Sequence, residues 1–372
     1  MLYVHMAVLL NELFFPETDP HITALLGAFA FCSTYVLRPF GALLFGYIGD
    51  NMGRKATVII TTLLMSLSCI VMASLPTYEQ IGITAAWIVT ICRILQGLSS
   101  MGEVMGAKIY ITEITKPPAQ YPAVLLVTLS SSLGAMVALG LASLVTHISM
   151  NWRVGFWIGA CIAVVGSVVR TRLRETPDFV DMKRKKQLEI ERNRASEKRK
   201  MELLEEVREE VSRSKINKKD FLAYFLLECS NPLCFYLYYI YFNPTLKVFG
   251  YSSSDIIFHN FMLSIIDFFI VFPWIYLVTK FHPLKILKFQ SRCFLFLMVV
   301  LPIFMSQCTS VWQIFLFQAV VFPFVLGGVG PAAPIFIKRF NVAKRFTATT
   351  LGYALARSFM YVICAFGLVP MF

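Results

Sequence analysis

The chain has 372 residues, 57% of them hydrophobic and 15% charged, with a mean hydropathy of +0.66, against about 45–50% apolar and about 25% charged in soluble domains. That composition excludes an ordinary soluble enzyme or binding domain, because runs of about 20 apolar residues, enough to cross a hydrocarbon core about 30 Å thick, recur almost end to end. The formal net charge of +12 does not point to nucleic acid, since the Lys and Arg residues sit in short connections and one central segment, the distribution that sets membrane topology.

In chain order, the apolar runs place spans near 2–15, 22–49, 56–76, 84–113, 123–146, 155–171, 221–247, 255–279, 286–307, 311–337 and 346–372. The expected fold class is therefore an all-α membrane protein with about eleven spans. No charged segment precedes the first run, so no cleavable signal peptide is expected. That run, Leu2 to Phe15, is only about 21 Å long at 1.5 Å per residue, and no twelfth run follows the last. Lys and Arg cluster in alternate connections: Arg54 with Lys55, Lys116, the central segment, Lys280 to Arg292, and Lys338 to Arg345. The connections at 77–83 and 308–310 carry neither, which predicts that the basic side is cytoplasmic. Residues 172–220 are dense in both charge signs, with Leu203, Leu204, Val207 and Val211 at roughly helical spacing and Glu209 four residues before Arg213. A solvated linker helix is expected there. It divides an N-terminal bundle, 1–171, from a shorter C-terminal bundle, 221–372, as in transporters built from parallel repeats.

The second span closes on Gly46-Tyr-Ile-Gly-Asp50-Asn-Met-Gly53-Arg54-Lys55. Gly46 leaves room for a neighbouring helix, and Gly53 suits a tight turn. The pattern Gly-x-x-x-Asp-x-x-Gly-Arg-Lys resembles the loop signature between spans 2 and 3 of the major facilitator superfamily of secondary transporters. The resemblance implies a gating motif of Gly46, Asp50, Gly53, Arg54 and Lys55, with Asp50 facing the N-terminus of span 11 near Arg345 to Thr347, where a helix dipole favours negative charge.

Arg38-Pro39-Phe-Gly41 lies twelve residues before Asp50, about 18 Å along a helix. A buried arginine is costly unless paired or hydrated, so Arg38 is expected to line a cavity. In the fourth span, Arg93-Ile-Leu-Gln96-Gly97 resembles a second superfamily signature, Arg-x-x-Gln-Gly, and Gly102-Glu103 follows. Gln96 and Glu103, nearly two turns apart, share a face with Arg93 close by. A cation and a carboxylate on one intramembrane face are the parts of a proton relay, so Arg93, Gln96 and Glu103 are the expected proton-coupling residues, against a static brace. Together with Glu113, Asn151-Trp152-Arg153 and Glu175-Thr-Pro-Asp-Phe179, these segments resemble the metabolite:proton symporter branch. That branch includes proline/betaine carriers and carriers of small carboxylates. Trp152 and Arg153 are expected to anchor span 6 at the outer interface.

The second half departs from that pattern. The connection after span 8, where the latch should recur, reads Thr279-Lys-Phe-His282-Pro-Leu-Lys285 and has neither acid nor glycine. Unexpected intramembrane charges appear instead: Lys108, Glu228, Asp267 and Arg357, of which Asp267 and Arg357 could form a compensating pair, with decay under relaxed constraint an equal alternative. Span 7 adds Asn231 and Tyr236, Tyr238, Tyr239 and Tyr241, whose rings could face a quaternary ammonium group, though packing and an interface belt more often explain such a run. Arg38, Asn231, Tyr236, Tyr239, Asp267 and Arg357 are the substrate or cavity candidates. The nine scattered cysteines form no metal or disulfide pattern. His5, His21, His147, His259 and His282 lie mainly near span ends, and no nucleophile elbow, phosphate loop or close carboxylate pair suggests an enzyme.

The expected function is proton-coupled symport of a small zwitterion or organic acid by alternating access in the inner cell membrane. It needs no cofactor beyond the proton gradient, and its partners are the solute, the proton and the bilayer. A second reading, of another class, is a truncated or degenerate relative without transport of its own.

Overall fold

The computed structural model describes Phe14 and residues 36–148, 151–194, 217–324 and 329–367. The expected first span apart from Phe14, the start of the second, and the linker residues Leu203 to Arg213 lie outside the described residues, as do His5 and His21. The described chain is helical: α1 (Arg38–Asn51), α2 (Arg54–Ser74), α3 (Ile83–Ile114), α4 (Gln120–Ile148), α5 (Arg153–Thr171), α6 (Pro177–Arg194), α7 (Lys218–Tyr239), α8 (Ser253–Lys280), α9 (Pro283–Gln307), α10 (Val311–Val321) and α11 (Arg345–Gly367). Among the described residues six helices, α2, α3, α4, α5, α8 and α9, are long and apolar enough to cross a membrane.

Two expected spans are interrupted. The run at 221–247 is helical to Tyr239, turns, and resumes as the short helix Asn243–Val248. The run at 311–337 leaves the α-helix after Val321 and passes through 3₁₀ turns before a short helix, Ala333–Ile337. The sequence Phe322-Pro-Phe-Val-Leu-Gly-Gly-Val-Gly-Pro-Ala-Ala-Pro334 explains the break, since each proline removes a donor and each glycine costs helix stability. Apolarity alone could not reveal it.

Within the N-terminal bundle α2 packs against α3 and α5, and α1 against α3; within the C-terminal bundle α7 packs against α11. The two most extensive pairings between the bundles are α1 with α11 and α4 with α8, and α3 also meets α11 and the short helix Ala333–Ile337. The α1 crossings are close because glycine lines them: a Cβ on Gly41 would sit 2.5 Å from the Leu98 carbonyl oxygen, and one on Gly46 would sit 2.8 Å from Thr347 Cα. Between the bundles Ala42, Met101, Met105 and Ile109 meet Tyr224, Ile337, Phe340, Phe346 and Tyr353 in one buried cluster. The outward faces are apolar and exposed, as Val165, Phe269, Phe296 and Val299 illustrate. An apolar exterior over a polar-containing interior is the order a lipid solvent imposes.

Trp152 departs from its expected place. It is buried at 8% exposure, edge-on to Phe14 and Phe156, within a cluster that includes Met72, Leu75 and Val89. Arg153 stacks on its ring and donates to the Leu75 carbonyl. The pair ties α5 to the end of α2 through the core and does not anchor the surface, because the indole finds more apolar contact there than at an interface.

Candidate functional site

The turn between α1 and α2 is where the bundles meet through charge. Gly53 adopts φ +117°, a conformation L side chains rarely take, and a Cβ there would collide with the Glu175 carboxylate. The turn brings Asp50, at the end of α1, against the start of α11. Asp50 Oδ1 accepts from the Phe346 amide at 3.0 Å, and Oδ2 from the Thr347 amide at 2.9 Å and the Thr347 hydroxyl at 2.7 Å. A carboxylate from one bundle thus caps a helix of the other, satisfying two orphan donors where the helix dipole is positive. Glu175 does the same for α2, accepting from the amides of Arg54 and Lys55.

Arg54 is fully buried, and its guanidinium is held on every side. Nε and Nη2 donate to the two oxygens of Glu113 at 3.2 Å each, Nη1 to the Gly49 carbonyl at 2.7 Å, and Nη2 to the Val342 carbonyl at 2.9 Å. Asp50 lies 3.5 Å away and the Phe179 ring covers the guanidinium at 5.1 Å. Glu113, whose side chain has no exposure, also accepts from Arg345 Nη1 at 2.9 Å and the Thr176 hydroxyl at 2.6 Å. Arg345 reaches Asp178 at 2.8 Å as well. Two arginines, one from each bundle, therefore share one buried glutamate, with every partner placed to satisfy the charge. The sequence marked Asp50 and its target. It gave no signal that Arg345 would complete the network, since Arg345 reads there as one of several loop cations.

The corresponding connection between α8 and α9 is built otherwise. His282 Nδ1 accepts from the Leu284 amide and caps α9 locally. Among the described residues, no ion pair or side-chain hydrogen bond joins 279–285 to the N-terminal bundle. That contact is apolar and aromatic: Leu125 and Tyr121 against Val278 and Ile286, with the rings of Tyr121 and His282 6.5 Å apart.

Deeper in the bundles the structure regroups the expected residues. The ion pair of Glu103 is with Arg170 of α5 at 2.8 Å, and Thr62 donates to the same oxygen. Arg93, expected as its partner, is buried elsewhere along α3 at 6% exposure, and Gln96 is half-buried. The partner was missed because Arg170 lies far away in sequence, near a span end where an arginine reads as topogenic. Arg38 is half-buried and opens α1, with Pro39 in the first turn where a proline costs no hydrogen bond. The expected pair of Asp267 with Arg357 does not form. Asp267 takes a hydrogen bond from Ser132 of α4, whereas Arg357 Nη2 donates to Asn231 at 2.6 Å and Nη1 lies 3.8 Å from Glu228. The reason is topological: α11 packs on α7, which carries Asn231 and Glu228, while α8 packs on α4. Tyr239 is buried among aromatic and aliphatic side chains with Tyr238, Leu139 and Leu263, and Tyr236 is half-buried beside it. Tyr239 packs; it does not present a face to a solute. Among the described residues no group of His, Cys, Asp and Glu could hold a metal.

The described helices thus form two bundles joined through a capped turn. Residues 6–368 match the Major Facilitator Superfamily, and the chain belongs to it. Among curated relatives it is 31% identical to the proline/betaine transporter of Escherichia coli (strain K12) over 184 residues, 48% of this chain and 37% of that one. It is 34% identical over 191 residues to the inner membrane metabolite transport protein YhjE of the same strain, covering 49% of this chain and 43% of that one. The chain thus spans less than half the length of these relatives. Its fold is like that of the proton:xylose symporter XylE, with a TM-score of 0.75 at 16% identity over 100% of this chain and 84% of that one. It is also like that of the human organic anion transporter MFSD10, with a TM-score of 0.64 at 17% identity over 97% and 82%.

Proposed function

We propose that the protein is a secondary active transporter that moves a small zwitterion of the proline or betaine kind, or a small organic acid, together with a proton by alternating access. The observation that carries this reading is the charged junction at the basic face, where Asp50 caps α11 and Arg345 crosses to Glu113. A directional charged junction between the bundles is one that can be broken and remade, which supports bundles that separate there. It closes the basic side, taken as cytoplasmic, and its release opens it. The solute class is supported by the relatives, whose names are proline/betaine and metabolite transporters. The proton is supported by carboxylates placed beside arginines inside the bundles, with Arg93, Gln96 and Glu103 as the N-terminal arm of the proton route and Arg170 as the cation that faces Glu103.

The test is uptake of labelled betaine, proline and α-ketoglutarate by purified protein in proteoliposomes under an imposed pH gradient. Accumulation of at least one, abolished by collapsing the gradient, is the expected result. Folded protein that accumulates none of the three contradicts the reading and favours a relative that no longer transports.

A further inference from the structure

The cluster around Glu228 and Arg357 contains the least satisfied charge in the described interior. Glu228 is 1% exposed, and no hydrogen bond of full geometry reaches either carboxylate oxygen, the Tyr224 hydroxyl beside it being a loose neighbour. Its ion pair, with Arg357 Nη1, is long at 3.8 Å. Arg357 could have formed the bidentate fork that arginine and carboxylate favour. It instead gives Nη2 to Asn231 at 2.6 Å and lays its guanidinium on the Tyr353 ring, 3.4 Å from the centroid. Lys108, from α3 of the other bundle, stands 5.9 Å from the same ring. Two cations, one from each bundle, thus meet around one tyrosine, and a single carboxylate lies behind one of them.

A buried carboxylate without hydrogen bonds is expensive while ionised, and an ion pair held at this distance repays little of that cost. Protonating Glu228 removes the cost and leaves Arg357 without its counter-charge. Lys108 and Arg357 then present two uncompensated positive charges across Tyr353, a site for one carboxylate group. We infer that Glu228 is the group that takes up the coupled proton, and that its neutralisation opens an anion site between Lys108 and Arg357 for the carboxylate of the transported solute. This rests on the transporter reading above and assigns its proton and the recognised part of its substrate.

The step balances: one proton adds to one Glu228 oxygen, one solute carboxylate arrives, and the net charge of the cluster is unchanged. It also explains why both bundles contribute, because an anion held between α3 and α11 draws them together. The other ionisable groups beside Glu228 are Tyr224 and Cys229 of its own helix, with Tyr353 of α11 against Tyr224. Tyr224 is fully buried beneath the α11 backbone, where a Cβ on Gly352 would sit 2.8 Å from its ring.

Infrared difference spectra of the purified protein in lipid, recorded while the pH is stepped, read the carboxylic acid C=O stretch directly and need no transport. Subtracting the E228Q spectrum from the wild-type one should isolate a pH-dependent band, the Glu228 band, that E103Q and D267N retain alongside the signals of the other carboxyl groups. R357Q should change the pH range over which that band appears, and R357K should restore it, which keeps the test alive if E228Q does not fold. Adding α-ketoglutarate, or betaine or proline in parallel arms, should extend the band to higher pH, since binding and protonation are reciprocal. Lys108→Ala should weaken that extension about tenfold in solute concentration. An E228Q spectrum that keeps the whole of the wild-type pH-dependent signal, so that no band is assigned to Glu228, overturns the assignment of the proton. A Glu228 band that none of the three solutes moves overturns the anion site. Either result leaves the uptake assay free to stand or fall on its own.

Discussion

The two connections at the basic face, α1 to α2 and α8 to α9, occupy equivalent places in their bundles and are held in opposite ways. The first uses a buried network, in which Asp50 caps α11 and Arg54 and Arg345 share Glu113. The second uses rings and aliphatic chains, Tyr121 and Leu125 against Val278 and Ile286. Charge-assisted hydrogen bonds are directional and are lost within an ångström or so of movement, whereas apolar contact tolerates sliding. The first junction is therefore specific to one relative placement of the bundles, while the second tolerates sliding between them.

The largest effect that would break this contrast is expected at Glu113. Glu113→Ala removes the buried carboxylate that the two arginines share and leaves Arg54 only Asp50 at 3.5 Å and Arg345 only the half-exposed Asp178, a loss of about 3–5 kcal/mol for a broken buried pair. Thermal unfolding in detergent should register it as a large drop, and a variant as stable as wild type would show that the network is not buried in the working protein. Asp50→Asn keeps the shape and removes the anion at the α11 terminus, at about 1–2 kcal/mol. That shifts the closed-to-open ratio at the basic face about 5- to 30-fold, measurable as faster labelling of a cysteine placed at Ala42. Gly46→Val should do comparable harm by steric means, because its Cβ would meet the Thr347 backbone. Labelling equal to wild type in both variants would make the turn a surface feature. The smallest effect is expected across the other junction: His282→Ala removes only a local cap of α9, about 0.5–1 kcal/mol, and should leave labelling at the basic face unchanged.

Much of this architecture is legible in the sequence, for identifiable reasons. Helical spans declare themselves because a bilayer demands long apolar runs, and α3, α4, α5, α8 and α9 lie close to their expected bounds. Asp50 and its target at Phe346 and Thr347 were legible because a glycine-punctuated turn carries its own pattern. The pairings of Glu103 with Arg170 and of Arg357 with Glu228 were not. A charge inside a span announces its cost but not its partner, and which partner it meets depends on which helices pack together. The break after Val321 was written in prolines and glycines yet masked by continuous apolarity. The burial of Trp152 depended on Phe14 and Met72 arriving from other spans.

The account turns on the latch at Asp50 and Glu113 holding the basic faces of the bundles together. Spin labels at Asn51 and Asn341, both exposed and both beside the junction, measure that separation directly once the native cysteines have been replaced. The account predicts one short-distance population in the parent protein and an added, longer population when Asp50→Asn or Glu113→Gln is introduced. Identical distance distributions in parent and variants would contradict it.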